Sequence, residues 1–190
     1  MKPLIIKLAV LILLIVGTNA CSIRPKASAL HDLGYSNAVD ARSETITQSK
    51  ETPSPITVES PKWLEDTRIH YRLLFSSPTQ VRSYAIDRWI ASPPELFEQL
   101  LNNSGKQWPR PLMVQLLTFE QQFETAEQAK VVMHFTASTI PDEKNGHTVK
   151  RDFKLHLPCP SADAKGAVTA FNELTRRATD QIQAWLLTID

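Results

Sequence analysis

Hydrophobic and polar positions alternate in several short stretches of the chain. Ile56 and Val58 interleave with Thr57 and Glu59, and Ile69, Tyr71, Leu73 and Phe75 interleave with Arg68, His70 and Arg72. A period of two is the signature of a half-buried strand, so both stretches predict strands. Leu112 to Phe119, Lys130 to Ser138 and Thr148 to Leu157 predict three more. In the last two, Val131, Met133, Phe135 and Ala137 share one face, as do Val149, Phe153, Leu155 and Leu157. The opposite face of the final strand carries Lys150, Asp152, Lys154 and His156. Leu30 to Gly34 predicts a short first strand. Within Pro78 to Gly105, the helical spacing of Val81, Tyr84, Ala85 and Trp89 predicts one helix, and Pro93-Pro94 opens a second through Leu96, Phe97, Leu100 and Leu101, with Gly105 able to terminate it. Ser161-Ala162-Asp163 starts a last helix reaching about Leu187, its stripe formed by Val168, Phe171, Leu174, Ala178, Ile182, Trp185 and Leu186. Strands buried on one side only imply an α+β fold: a mostly antiparallel sheet with helices packed on one face.

The first twenty residues follow a different pattern. Lys2 and Lys7 precede an unbroken apolar run from Leu8 to Val16, followed by Gly17, Thr18, Asn19, Ala20 and Cys21. This is the charged, apolar and small-residue order of a cleaved export signal, and the run is too short for a spanning helix. Ala20 directly before Cys21 resembles the lipobox of bacterial lipoproteins, although Thr18 stands where Leu is usual. A plain secretory signal is the alternative. The expected organisation is therefore 1–20 signal peptide, 21–27 lipidated Cys21 and short tether, and 28–190 a single domain. Two or three acyl chains on one residue suffice for stable anchoring without a spanning segment. Ser22 after the cysteine, where inner-membrane lipoproteins commonly carry Asp, points by resemblance to the outer membrane.

Composition narrows the chemistry. The chain has 190 residues, 42% hydrophobic, which suits one folded domain. Lys+Arg number 21 against 20 Asp+Glu, so no strong field recruits phosphates and nucleic acid is not expected as a partner. Removing residues 1–20 takes away Lys2 and Lys7 and no acid, which moves the formal charge from +1 to −1. The five glycines lie far apart and assemble no phosphate-binding loop. Two cysteines are too few for a disulfide framework or a cysteine-rich zinc site, and Cys159 between Pro158 and Pro160 reads as a structural thiol. His31, His70, His134, His147 and His156 show no metal-ligand spacing, and there is no GxSxG elbow. No cofactor and no metal is expected, and an enzyme is not the favoured reading.

Arg72, Arg82 and Arg88, with Tyr71, Tyr84 and Trp89 close by, form a basic and aromatic concentration suited to a lipid headgroup or an acidic partner, because Arg engages phosphates and carboxylates bidentately. On the expected helix, Trp89 would instead fill the core and Arg88 would pair with a surface acid. Arg151 falls in the inward register between Val149 and Phe153, so it is edge-exposed, paired or part of a binding surface.

The stretch Trp63-Leu64-Glu65-Asp66, Ile69, Tyr71-Arg72-Leu73, Pro78, Val81-Arg82, Tyr84, Arg88-Trp89 and Pro93-Pro94 resembles the auxiliary lipoproteins of ABC-type lipid transport systems, the PqiC-type lipoproteins among them. A second block agrees: Phe119 with Phe123-Glu124-Thr125-Ala126, then Pro158 to Ala167 leading into Ala178 to Trp185. His31-Asp32-Leu33-Gly34 looks like the family's opening Tyr-Asp-Leu-Gly with His replacing Tyr. The resemblance implies a mixed α/β lipoprotein facing the periplasm. Its implied partners are a membrane-anchored MCE-domain protein with its permease and ATPase, which move phospholipids or related lipids between membranes. The implied role is an accessory or docking component. A direct lipid-binding carrier and an envelope hydrolase are the alternatives.

Overall fold

The computed structural model describes residues 27–34, 56–141 and 146–189. Period-two alternation becomes strands β1 (Ala29–His31), β2 (Ile56–Glu59), β3 (Arg68–Leu73), β4 (Ser77–Trp89), β5 (Leu112–Phe123), β6 (Ala129–Thr139) and β7 (Lys150–Pro158). Helix α1 (Pro93–Asn102) lies between β4 and β5, and helix α2 (Ala164–Leu186) follows β7. The seven strands form one mixed sheet in the order β1-β4-β3-β5-β6-β7. β2 runs beside the first half of β5 (Ile56 opposite Leu112) and β3 beside the second half (Tyr71 opposite Gln121), so both occupy the same side of β5. The fold is thus α+β. Its parallel pairings β1–β4, β2–β5 and β3–β5 cover three or four residues each, while the antiparallel ladders β5–β6 and β6–β7 run nearly the full length of their strands.

One expected element is overturned. Val81, Tyr84, Ala85, Arg88 and Trp89 belong to the thirteen-residue strand β4, not to a helix. The pairing of β3 with β4 carries register shifts between Arg68 and His70 and between Tyr71 and Leu73. Across each shift β4 advances five residues while β3 advances two, Ser83 to Arg88 against Arg68 to His70 and Ser77 to Arg82 against Tyr71 to Leu73, which breaks the period of two. The surviving apolar positions of β4 then fall at three- and four-residue intervals by coincidence, in a segment whose Thr, Val, Tyr, Ile and Trp residues favour a pleated surface. A similar shift between Leu116 and Thr118 in β5 moves the inward parity from Leu112, Val114 and Leu116 to Phe119, Gln121 and Phe123. That shift hid the continuation of β5 past Phe119.

Both helices pack on one face. Phe171 of α2 stacks on Phe119 with ring centroids 3.9 Å apart, and Trp89 meets both rings at 5.7 and 5.8 Å. Phe97 of α1 touches Phe135, which stacks on Phe153, which in turn meets the edge of Trp185. Aromatic pairs at these separations add to the stabilisation from burial alone. Pro93 and Pro94 fill the first turn of α1, where a missing N–H costs nothing, and the Glu95 side chain accepts from the Ser92 N–H at 3.0 Å. α1 ends at Asn102, and Gly105 at φ 68° takes the turn beyond it. The Asp163 carboxylate caps α2 by accepting from Gly166 N–H at 2.7 Å.

Candidate functional site

Adjacent strands bring together some of the residues singled out from the sequence. Tyr71 on β3 and Tyr84 on β4 lie 4.9 Å apart between ring centroids, with Phe123 of β5 meeting Tyr71 edge-on. The Tyr84 hydroxyl donates to Gln121 Oε1 at 2.6 Å, and Gln121 Nε2 donates to the Asp163 carbonyl at 3.2 Å and reaches Cys159 Sγ at 3.5 Å. Gln121 is fully buried. Burial pushes the Tyr84 phenol and the Cys159 thiol above their ordinary values, so both stay protonated and neutral. This cluster is a satisfied polar link between the sheet and the start of α2. It offers a ligand little, since its donors and acceptors are already used.

Arg72 points to the other side of the sheet. Its Nε lies 2.8 Å from both oxygens of Glu120, which is 2% exposed and also accepts from Gln122 Nε2 at 2.9 Å. Arg72 Nη1 reaches the Thr79 carbonyl at 3.3 Å. Neutralising a buried carboxylate occupies this guanidinium, which removes it from the list of free anion binders. Arg82 is half-buried, with Nη2 donating to Gln80 and Nε buried without a partner among the described residues. Arg88 sits opposite Arg68 of β3 and Leu30 of β1. Trp89 beside it fills the core, as expected, although from a strand and not from a helix. Arg151 is exposed on β7 with its guanidinium 5.2 Å from the Phe153 ring centroid. Three strands separate β4 from β7, so at about 4.8 Å per strand these arginines span roughly 19 Å and form no single site. Cys21 lies outside the described residues.

The histidines scatter, each of three beside a local aspartate. His31 Nε2 is 2.9 Å from Asp87, His134 Nε2 is 2.6 Å from Asp152, and His70 Nε2 is 3.5 Å from Asp66. Among the described residues no three His, Cys, Asp or Glu side chains group as metal ligands, and no helix is long and apolar enough to cross a membrane.

A cleft of about 400 Å³ opens where α1, α2 and the segment after β1 meet. Leu33, Ile90, Leu96 and Leu100 supply its apolar surface, and Lys106, Arg176, Asp32 and Asp180 stand at its polar margin. Lys106 Nζ is already held by Asp180 at 2.8 Å and Gln183 at 2.6 Å. The sequence reading missed this cleft, because its walls come from helix positions that also read as core.

No protein-family model matches the chain, and no curated protein matches it. The fold is shared with solved structures, among them the following two. One is a crystal structure of a Xanthomonas campestris protein described under the family DUF330, with a TM-score of 0.59 and 17% identity over 72% of this chain and 90% of that one. The other is a crystal structure of an uncharacterized protein, with a TM-score of 0.57 and 13% identity over 83% of this chain and 97% of that one. At these identities the likeness is one of fold: the chain has the architecture of the DUF330 protein.

Proposed function

We propose that this protein is a non-enzymatic lipoprotein, anchored through Cys21 in the outer membrane and facing the periplasm. There it acts as an accessory docking component of an MCE-type ABC lipid transport system. The observation that carries the reading is the combination, in one chain, of a signal-like segment before Cys21 with a following stretch, His31 to Trp185, that resembles the auxiliary lipoproteins in the order and spacing of its motifs. The fold shared with the DUF330 protein supports it, since it is the kind of one-layer sheet with helices on a single face that leaves the other face and an edge free for a partner. Acyl chains on Cys21 moor an otherwise water-compatible domain to a bilayer. Cross-linking in intact envelopes tests the docking role: recovery of an MCE-domain protein is the expected result, and its consistent absence overturns the reading. Loss of fatty-acid labelling in Cys21→Ala tests the anchor.

The apolar cleft between α1 and α2 favours a second reading, a direct lipid carrier, because its volume lies in the range of small-ligand sites. That reading requires phospholipid to co-purify with the acyl-free domain. A lipid-free preparation leaves docking as the function.

A further inference from the structure

The sheet's terminal strands differ in how their edges are finished. β1 is only three residues long, and β2 has Val58 N–H bonded to Glu98 at 2.8 Å and the Ile56 carbonyl bonded to Asn102 at 3.3 Å. Short length and side-chain capping are standard protections for an edge. β7 has nine residues and pairs only with β6 among the described residues. Thr139 N–H donates to the Val149 carbonyl at 2.9 Å, and Cys159 N–H donates to the Ala129 carbonyl at 2.8 Å, at the two ends of this ladder. In an antiparallel pair a residue turns its N–H and C=O to the same neighbour, and successive residues alternate sides. The odd-numbered residues of β7 therefore bond β6. Lys150, Asp152, Lys154 and His156 turn their backbone groups to the free edge, and none of those groups has a hydrogen bond among the described residues.

The side chains of these four residues are exposed on the sheet face away from the helices. Asp152 is matched by His134 at 2.6 Å and Lys154 at 3.6 Å, which leaves a positive excess from Lys150 and Lys154, with Arg151 exposed beside them. On the helix side the edge offers Phe153, Leu155 and Leu157. A second copy of β7 would set these cations against each other across the new pairing, which is unfavourable. An acidic strand would not.

We infer that the free edge of β7 accepts an extended segment of a partner protein as an added strand, with acidic side chains over Lys150, Lys154 and His156 and apolar ones toward Leu155 and Leu157. Main-chain hydrogen bonds supply the affinity and the alternating side chains the selectivity. The inference deepens the docking reading and rests on it, by naming the surface that docks.

The test uses the full lipoprotein in detergent and two synthetic peptides that alternate Val with Glu or Val with Lys. The Glu peptide is expected to bind, to slow amide exchange at Lys150, Asp152, Lys154 and His156, and to bind at least about tenfold more weakly to Lys154→Pro. That substitution removes an outward N–H together with the Lys154 ammonium and its ion pair to Asp152, and leaves the β6 ladder intact, which an unchanged melting temperature verifies. Lys154→Ala removes the same charge but keeps the N–H, and is expected to bind the Glu peptide at least about tenfold more tightly than Lys154→Pro. Lys150→Glu/Lys154→Glu is expected to exchange the preference to the Lys peptide. Failure of the Glu peptide to bind overturns the inference. So does equal binding by Lys154→Pro and Lys154→Ala, or binding to anionic phosphatidylglycerol vesicles that is equally strong in these two variants and displaces the peptide, because a patch of charge alone would behave that way. Recovery of an MCE-domain protein in envelopes alongside a negative peptide result overturns the edge and leaves the docking role standing.

Discussion

The Tyr84 hydroxyl and Gln121 Oε1 lie 2.6 Å apart across the β4–β3–β5 part of the sheet, joining a strand near one edge to a fully buried amide at its centre. Removing the hydroxyl strands that acceptor in the core. Tyr84→Phe is expected to destabilise the domain by about 1–3 kcal/mol, the cost of an unpaired buried polar group, with little change in packing. Urea unfolding of the variant measures it. A cost near zero would mean that Gln121 has found another donor.

His70 is 6% exposed, and its Nδ1 is buried without a partner among the described residues. Burial pushes its imidazole below the ordinary value of 6.5, although Asp66 pulls the other way. Below about pH 6.5 the unfolded chain therefore binds a proton that the folded chain resists. Stability from this group is complete above that value and declines as pH falls toward the lower folded-state value. Asp66 titrates below its ordinary 3.8, because its bonds to Arg68 outweigh burial, and so stays outside this window. Urea midpoints measured from about pH 7.5 down to about 5 should fall less steeply in His70→Gln than in the parent.

How much of this was legible beforehand depended on whether the backbone kept its period. β6 and β7 carry no bulge, and Val131, Met133, Phe135, Phe153 and Leu155 fall on the buried face as their alternation indicates. α2 was equally clear, since its stripe from Phe171 to Leu186 is long enough for the 3.6 period to stand out. β4 misled because bulges erased its alternation. The arginines misled for another reason: proximity in sequence placed Arg72 and Arg82 together, but a strand sends neighbouring side chains to opposite faces, and Arg72 is committed to Glu120. That Glu120 is buried, or that Lys154 stands at an edge and not mid-sheet, depends on strand order, which no single stretch of residues encodes.

Gly166 sits under the Ser161 carbonyl oxygen, where an added Cβ would collide with backbone. The Asp163 cap that holds this turn bonds Gly166 N–H and also accepts from the Ser161 hydroxyl at 2.7 Å. Gly166→Ala must therefore move the loop or the start of α2. A loss of about 1–3 kcal/mol is expected, as for other overpacked sites, against about 1 kcal/mol for Asp163→Ala, which removes a cap without a clash. Thermal melts of the two variants side by side would give the order, and a milder effect for Gly166→Ala would contradict it.

Arg72 and Glu120 form an unequally buried ion pair. Glu120 is nearly inaccessible, whereas about a quarter of the Arg72 side chain reaches solvent. Taking away the cation leaves a carboxylate in the interior with Gln122 as its remaining partner among the described residues, and that loss exceeds any attraction credited to the pair itself. Arg72→Met is expected to cost about 2–3 kcal/mol, less than for a wholly buried pair because water reaches the guanidinium. Glu120→Gln removes the charge but keeps an acceptor for Gln122. Added to Arg72→Met, it should restore part of the lost stability. A double-mutant cycle by urea denaturation is expected to show a coupling of about 1 kcal/mol or more between the two positions. Strict additivity would mean that the two side chains contribute independently and that the pairing itself adds nothing to the fold.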